Sequence, residues 1–430
     1  MTLQVQSPAP PSSSSTTFHY LLPTLLFSLL FLLYLVSLPP SSLSSDSLSS
    51  DPLLFPHHSP PNHHHRLLFL SHHHSSPSTP PSPPSLAYLI SGSKGDSARI
   101  LRLLFAVYHP KNHYLIHLDL GASESDRDEM ARVVTGVKVF KAAQNVNVVG
   151  KAGFCYDDGA SEVSCVLHGA SVLLRLSGRW DWFINLSPAH YPLVTQDDLL
   201  HILSYLPKDV NFVNHTSYIG WRESRKLKPI VVDPGLYLSE INAMFYASQK
   251  RELPDAYQLF TGSATSILSR NLLEFCIFGT DNFPRTLLMY LSNSLSAQSV
   301  YFPTLICNSK QFRRTIINHN LQHAVLDDKQ EPRPLNSRDL DDIFSIGAAF
   351  ASPFLPDDPV LDLIDQKILG RDPGKPTPGG WCLGESENDI CSEWGDAEVL
   401  RPGPGAKKME RRIVQLLSDG AYKSHQCVVE

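Results

Sequence analysis

Three short stretches carry residues that could handle a phosphorylated ligand or a proton. Ser91-Gly92-Ser93-Lys94-Gly95-Asp96 is a small-residue turn directly after the apolar run Leu86–Ile90; Asp119 closes the apolar run Tyr114–Leu118; and Ser187 closes the run from Trp182 to Leu186. The Gly and Ser turn could equally be a plain strand-to-helix connection. A carboxylate at a strand end can hold a nucleoside, and an ordinary helix cap would look the same. The turn lacks the G-x-x-x-x-G-K-[ST] spacing of a P-loop and the G-x-G-x-x-G spacing of a dinucleotide site. D-x-D occurs only at Asp126-Arg127-Asp128 and Asp339-Leu340-Asp341, and neither triplet ends an apolar strand. No metal site is expected from them, so Arg or Lys must neutralise any diphosphate.

These residues need a sheet to hold them. After the Ser91–Asp96 turn, with Asp96 as expected N-cap, Ile100, Leu103, Leu104 and Val107 recur at i, i+3, i+4 and i+7, the period of an amphipathic helix. A strand is expected over Tyr114–Leu118 and a helix over 126–134. Further strands are expected around Val137–Phe140 and Val146–Val149. A helix over 166–176 leads to the strand at Asp181–Ser187, a helix capped by Thr195, and a strand beginning at Asn211. Alternation of this kind predicts an α/β fold with a mostly parallel sheet covered by helices. In open sheets of this class ligands sit beyond the carboxyl ends of the strands, which selects Gly92, Ser93, Asp119 and Ser187. Beyond about Trp221 the pattern loosens, and the chain ends in an amphipathic helix carrying Met409, Ile413, Leu416 and Leu417.

The rest of the chain has a different character. It has 430 residues, 42% hydrophobic, and a net charge of −6. With no basic stripe to neutralise phosphates, nucleic acid is not an expected partner. There is no carboxylate before Asp46 and no Lys or Arg before Arg66. Within that uncharged stretch, residues 18–38 are dominated by Leu, Phe, Tyr and Val, and about 20 such residues cross a ~30 Å hydrocarbon layer. The expected organisation is a tail over 1–17, a transmembrane signal anchor in membrane lipid over 18–38, a disordered Ser/Pro/His-rich stalk over 39–85, and one domain over 86–430. All 7 cysteines follow the anchor, and none forms a C-x-x-C pair. Cys382 and Cys391 enclose a short loop suited to a disulfide.

The stretches AYLISGSKGD, YHPKNHYLIHLDL, DWFINLS, YPLVTQDDLLH, NHTSYIGW, KPIVVDPGLY, LFTGSA, DNFPRTLLMY, PGGWC and LRPGPGA together resemble the core-2/I-branching family of glycosyltransferases (glycosyltransferase family 14), in particular its plant β-glucuronosyltransferase-like branch. The resemblance implies a GT-A-like fold and inverting, metal-independent transfer of a sugar, glucuronic acid or N-acetylglucosamine, from a UDP-sugar donor. The implied acceptor is a glycan hydroxyl, for example on arabinogalactan protein. It also implies a single-pass type II protein of the Golgi membrane with a lumenal C-terminal domain. A partner transferase or a second copy of the chain is the expected protein partner. It adds Gly262 and Ser263 to the donor side and places Trp221 on the acceptor side. In the lumen Asn214-His215-Thr216 becomes a glycosylation sequon, with Asn214 as acceptor; Asn185 also fits the pattern but lies in a buried strand.

The departures bear on activity. Related enzymes carry a catalytic Glu two residues before a Tyr-Phe pair; here the pair is Tyr301-Phe302 and the position is Ser299. Ser has no pKa for accepting the acceptor proton. The FARKF-like segment reads Phe350-Ala351-Ser352-Pro353-Phe354 and has lost both basic residues. The acid of S-x-x-D-Y-P is His190, and the aromatic after Gly-Ser-Ala is Thr265. Glu274, Asp281 or another carboxylate could substitute for the base, and Lys367, Arg371 or Lys375 for the diphosphate contact. The alternative is a catalytically silent homologue that binds glycan or a partner transferase.

Overall fold

Strand β1 (Leu86–Gly92) is apolar along its length because both of its faces are covered, as expected for a central parallel strand. Leu86, Tyr88 and Ile90 pack into one hydrophobic cluster and Ala87 and Leu89 into a second on the opposite face. The structure, a computed structural model, describes residues 81–237, 243–329, 331–384, 390–418 and 427. The chain divides into two units, Met1–Ser49 and Ser50–Glu430, and the described residues all belong to the second. The expected anchor over 18–38 and most of the stalk lie outside them. Among the described residues no helix is long and apolar enough to cross a membrane.

After β1 come α1 (Ser97–Ala106), β2 (His113–Leu118), α2 (Glu124–Gly136), α3 (Lys138–Ala143), β3 (Val146–Val148), α4 (Ala160–Leu176), β4 (Trp182–Leu186), β5 (Tyr191–Pro192), α5 (Gln196–Leu203) and β6 (Asn211–Phe212). They continue into α6 (Trp221–Leu227), β7 (Pro229–Val232), β8 (Phe245–Lys250), β9 (Ile267–Ser269), α7 (Arg270–Phe278), α8 (Phe283–Leu291), α9 (Ala297–Asn308) and β10 (Ile316–Ile317). The main sheet has the order β3-β2-β1-β4-β9-β6-β10. Every neighbouring pair in it is parallel except those of β9, which runs antiparallel to both β4 and β6. This is the mostly parallel, helix-flanked α/β sheet expected from the alternation.

The chain winds outward from β1 to β3 and then returns to β4 on the other side of β1. That reversal opens a crevice beyond the carboxyl ends of β1 and β4, the usual ligand position in such sheets. Thr195 caps α5 as expected: its hydroxyl accepts from the Asp198 N–H at 3.1 Å while the Asp198 carboxylate accepts from the Thr195 N–H. The C-terminal helix Pro404–Leu417 buries Met409, Ile413 and Leu416.

Three local expectations are corrected. Val137–Phe140 is not a strand; Lys138–Ala143 is a helical turn and a half ending on left-handed Gln144. Neighbours Val139 and Phe140 both enter the same hydrophobic cluster, which the alternation of a strand would forbid. Only Asn211 and Phe212 of the run starting at Asn211 pair in the sheet. Asp96 makes no side-chain cap on α1. Its carboxylate turns back to accept from the Ser93 N–H at 3.0 Å, bracing the turn rather than the helix.

Candidate active site

At the ends of β1 and β2 the small-residue turn and Asp119 are knitted together. The Asp119 N–H donates to the Gly92 carbonyl at 3.0 Å. One oxygen of its carboxylate accepts from the Ser93 hydroxyl at 2.7 Å and from the Gly121 N–H at 2.9 Å. Gly92 must lack a side chain, since a Cβ there would sit 2.9 Å from both Ile100 Cδ1 and Pro188 Cγ. That contact brings the β1 and β4 ends together. Arg99 pairs with Asp96 at 3.2 Å and also donates to the Phe354 carbonyl, while Arg127 donates to the carbonyls of Asp119 and Ala122. Positive charge therefore borders this crevice from α1 and α2. Burial, then the charges of Asp233 and Asp119, raise the Tyr156 phenol.

Beyond β4 three side chains form a chain. Ser187 Oγ lies 2.8 Å from His190 Nδ1, and His190 Nε2 lies 3.1 Å from Thr265 Oγ1. Burial pushes the imidazole down to about 4, so it is neutral near pH 7. The Ser187 N–H donates to Nδ1 at 3.0 Å, which leaves the proton on Nε2 and makes Thr265 its acceptor.

The third group lies around the start of α9. The Asn214 amide donates to the Ser263 hydroxyl at 2.9 Å, and the Gly262 N–H donates to the Ser299 carbonyl at 2.8 Å. Gly262 is required by close approach, because a Cβ would fall 1.8 Å from the Asn214 carbonyl oxygen. The Ser299 hydroxyl donates to the Ser296 carbonyl at 2.8 Å. Ser296 in turn donates its hydroxyl to Asp158 Oδ1 at 2.8 Å and its N–H to the Asp158 carbonyl at 2.7 Å. Asp158 and Ser296 are both left-handed non-glycine residues, with φ of 60° and 51°. Such conformations cost about 1–3 kcal/mol each and gather where a site needs them. Next to them Glu162, in the first turn of α4, is pushed up to about 7 by burial and by the charges of Asp157 and Asp158.

Residues 86–343 match the model of the Core-2/I-branching enzyme family. The chain belongs to that family. It is 48% identical over 350 residues to beta-glucuronosyltransferase GlcAT14A of Arabidopsis thaliana, spanning 80% of this chain and 78% of that relative. GlcAT14B of the same plant is 48% identical over 80% of each chain, and GlcAT14C is 42% identical over 80% of this chain and 85% of its own length. Glycosyltransferase chemistry follows from this membership.

Within this family frame, the expected donor residues Gly92, Ser93, Asp119, Ser187, Gly262 and Ser263 all line the carboxyl edge of the sheet. The proposed substitutes for the base do not. Glu274 pairs with Arg270 at 2.7 Å, and the Arg270 N–H donates to the Asp181 carbonyl at the opposite edge, where β4 begins. Because β9 runs antiparallel, α7 starts at the wrong end of the sheet to reach Ser299. Asp281 braces the start of α8, accepting from the Phe283 N–H at 2.8 Å; the other end of that helix is the one that leads back towards Ser296.

Nor do the tail cations converge on Asp119. Arg371 is buried on Asp365 at 2.9 Å, and Lys375 pairs with Asp372. Lys367 lies 5.7 Å over the Phe344 ring, in a separate cavity of about 300 Å³ lined also by Thr195, Arg401 and Lys408. Pro353 is next to Phe354, whose N–H donates to the Ala189 carbonyl at 2.9 Å, so the segment that lost its basic residues does border His190. The amide nitrogen of Asn214, the expected glycan acceptor, donates to the Ser263 hydroxyl. Trp221 stands exposed at the start of α6.

The D-x-D triplets stay local: Asp126 completes the capping box of α2 and Asp339 pairs with Arg333. Cys382 and Cys391 are joined, as are Cys155 with Cys165 and Cys307 with Cys427. The last two disulfides lie near His117 and His215, but sulfurs bonded to each other are not thiolate ligands. Asp158, Glu162, Tyr156 and Asp233 escaped the sequence reading. Their only sequence signal is an acidic pair before a helix start, which solvated loops share.

Proposed function

We propose that this protein transfers a sugar, glucuronic acid or N-acetylglucosamine, from its UDP conjugate to a hydroxyl of an arabinogalactan-type glycan. Transfer inverts the anomeric carbon and needs no metal ion. It takes place at the Golgi membrane, with residues 18–38 as a type II anchor and the C-terminal domain in the lumen. The relatives named as beta-glucuronosyltransferases support the donor.

One observation carries the enzymatic reading: the Asp158 carboxylate accepts from the Ser296 hydroxyl, while the backbone carbonyl of that same Ser296 accepts from the Ser299 hydroxyl, so Asp158 and Ser299 flank one residue. The carboxylate absent from position 299 in α9 is supplied from the loop before α4. In this role Asp158 takes the proton of the acceptor hydroxyl as its oxygen bonds to the anomeric carbon. The bond from that carbon to the diphosphate oxygen breaks on the opposite side, and UDP leaves with the electron pair. Arg99 and Arg127 face the developing charge on the leaving group. The test is incubation of the full-length protein, purified in detergent, with UDP-glucuronic acid and galactan oligosaccharides; absence of transfer together with absence of UDP binding sinks the proposal.

A silent homologue is the second reading, favoured by the Ser299 hydroxyl being committed to a backbone carbonyl. UDP binding without any turnover would select it.

A further inference from the structure

The chain as a whole carries a net charge of −6, yet the stretch from Tyr218 to Lys228 is strongly cationic. It holds Arg222, Arg225, Lys226 and Lys228 against the single acid Glu223. Lys228 pairs with Glu252 at 3.3 Å, and among the described residues no carboxylate pairs with Arg222, Arg225 or Lys226. Two large aromatic side chains stand in the same stretch, Tyr218 at 78% exposure and Trp221 at 70%. Both are held in place. The Tyr218 ring lies over Gly220, whose Cβ, if present, would sit 2.9 Å from Tyr218 Cε1, and the Arg225 guanidinium lies 4.7 Å from the Trp221 ring centroid. Singly exposed aromatics are ordinary, but two of them side by side among cations form a patch of the kind that marks a binding surface.

The stretch is continuous with the active site. Thr216 and Thr261 exchange backbone hydrogen bonds at 2.9 and 3.0 Å, and Tyr218 donates its N–H to the Thr216 hydroxyl. The next residue after Thr261 is Gly262, bonded to Ser299. The bridge between Thr216 and Thr261 thus ties the segment carrying Tyr218 and Trp221 to the one that holds Ser299. Rings offer a flat apolar face to the C–H side of a pyranose, while guanidinium and ammonium groups pair with carboxylates.

We infer that the α6 surface binds a carboxylate-bearing stretch of the acceptor glycan, so that the preferred acceptor is one already substituted with uronic acid. This rests on the transferase reading for the position of the acceptor, but its test does not. The aromatic rings seat the sugar faces, and Arg222, Arg225 and Lys226 take the carboxylates.

The experiment compares two probes on the unaltered full-length protein in detergent: a neutral β-1,6-galacto-oligosaccharide and the same oligosaccharide with glucuronic acid branches. Calorimetry is expected to show the acidic probe bound about tenfold more tightly at low ionic strength. The difference should shrink as salt rises from about 50 to about 300 mM. Arg222→Glu, Arg225→Glu and Lys226→Glu together should abolish the preference and leave UDP affinity unchanged, and Trp221→Ala should weaken both probes. Should the triple variant not fold, single Arg222→Gln and Lys226→Gln changes should each reduce the preference. Equal affinity of the unaltered protein for the two probes overturns the inference, as does equally tight binding of polyuridylate. Failure of UDP binding would strike the transferase reading while leaving the probe preference to be judged by itself.

Discussion

His190 Nε2 meets Thr265 Oγ1 at 3.1 Å. In the pattern the chain resembles, the first position is an acid and the second an aromatic, so two departures far apart in sequence are one contact in space. A neutral imidazole donating to a hydroxyl satisfies both polar groups in a half-buried place where an acid beside an aromatic would arrange itself differently. Either change alone would leave a polar atom without this partner. His190→Ala and Thr265→Val should each lower stability by about 1 kcal/mol, and the double variant should lose less than the sum by about 0.5 kcal/mol or more. Urea unfolding midpoints measure this. Strict additivity would mean that the contact contributes nothing.

Acid should destabilise the domain in a defined window. His113, His117 and His190 are each pushed down to about 4, in every case chiefly by burial. In the unfolded chain a His titrates near about 6.5. Above that value both states are neutral and the full stability is present. As pH falls from about 6.5 towards 4, the unfolded chain binds protons that the folded one refuses, so stability drops. Melting temperature should therefore be flat above neutrality and decline through the mildly acidic range, and His190→Gln should make the decline shallower. A melting temperature unchanged between pH 7 and pH 5 would contradict this.

Asp158 is expected to set the rate and Glu162 its pH dependence. Asp158→Asn should lower kcat by about 10²–10⁴, the usual contribution of a general base, with little change in the KM for UDP-sugar. Burial, then the charges of Asp157 and Asp158, push the Glu162 carboxyl up to about 7, so the charge beside the proposed base changes in that range. Transfer should rise with pH through about 7, and Glu162→Gln should flatten that limb while activity persists. Full activity of Asp158→Asn would remove this residue from the chemistry.

A related substitution separates replacement from loss. If Asp158 already serves, Ser299→Glu adds a further carboxylate to a place holding Asp157, Asp158 and Glu162, and mutual repulsion keeps it protonated. Transfer should then stay the same or fall. A large gain on Ser299→Glu would instead mark the present chain as lacking its base.

Much of the frame was legible in the sequence because it rests on local pattern. The apolar runs of β1, β2 and β4, the period of α1 and the Thr195 cap each declare themselves within about ten residues. The carboxyl edge that carries Gly92, Ser93, Asp119 and Ser187 followed, since strand ends are readable once strands are. Glu274 and Asp281 misled because nothing in their neighbourhood reveals that β9 runs antiparallel, which sends α7 to the far edge. Asp158 was invisible for the converse reason. Its partner Ser296 is 138 residues away, and only the packing of α9 beside α4 brings them together. The same distance effect hid the pairing of His190 with Thr265, although each departure was visible singly.

Asn214 sets a packing contact against a sequence motif. Asn214-His215-Thr216 has the composition of an N-glycosylation sequon, yet the amide nitrogen that would carry the sugar donates to Ser263 at 2.9 Å. Gly262 abuts the Asn214 carbonyl so closely that even a methyl group cannot be admitted, and Thr216 is fixed by its two backbone bonds to Thr261. A glycan at Asn214 would displace Ser263 and fill the space in front of Ser299. The folded protein is therefore expected to carry no sugar there. Endoglycosidase treatment should leave the Asn214 peptide mass unchanged, and Asn214→Gln should alter UDP or acceptor binding rather than electrophoretic mobility. A peptide bearing glycan at Asn214 in active, folded protein would refute the placement of this residue in the site.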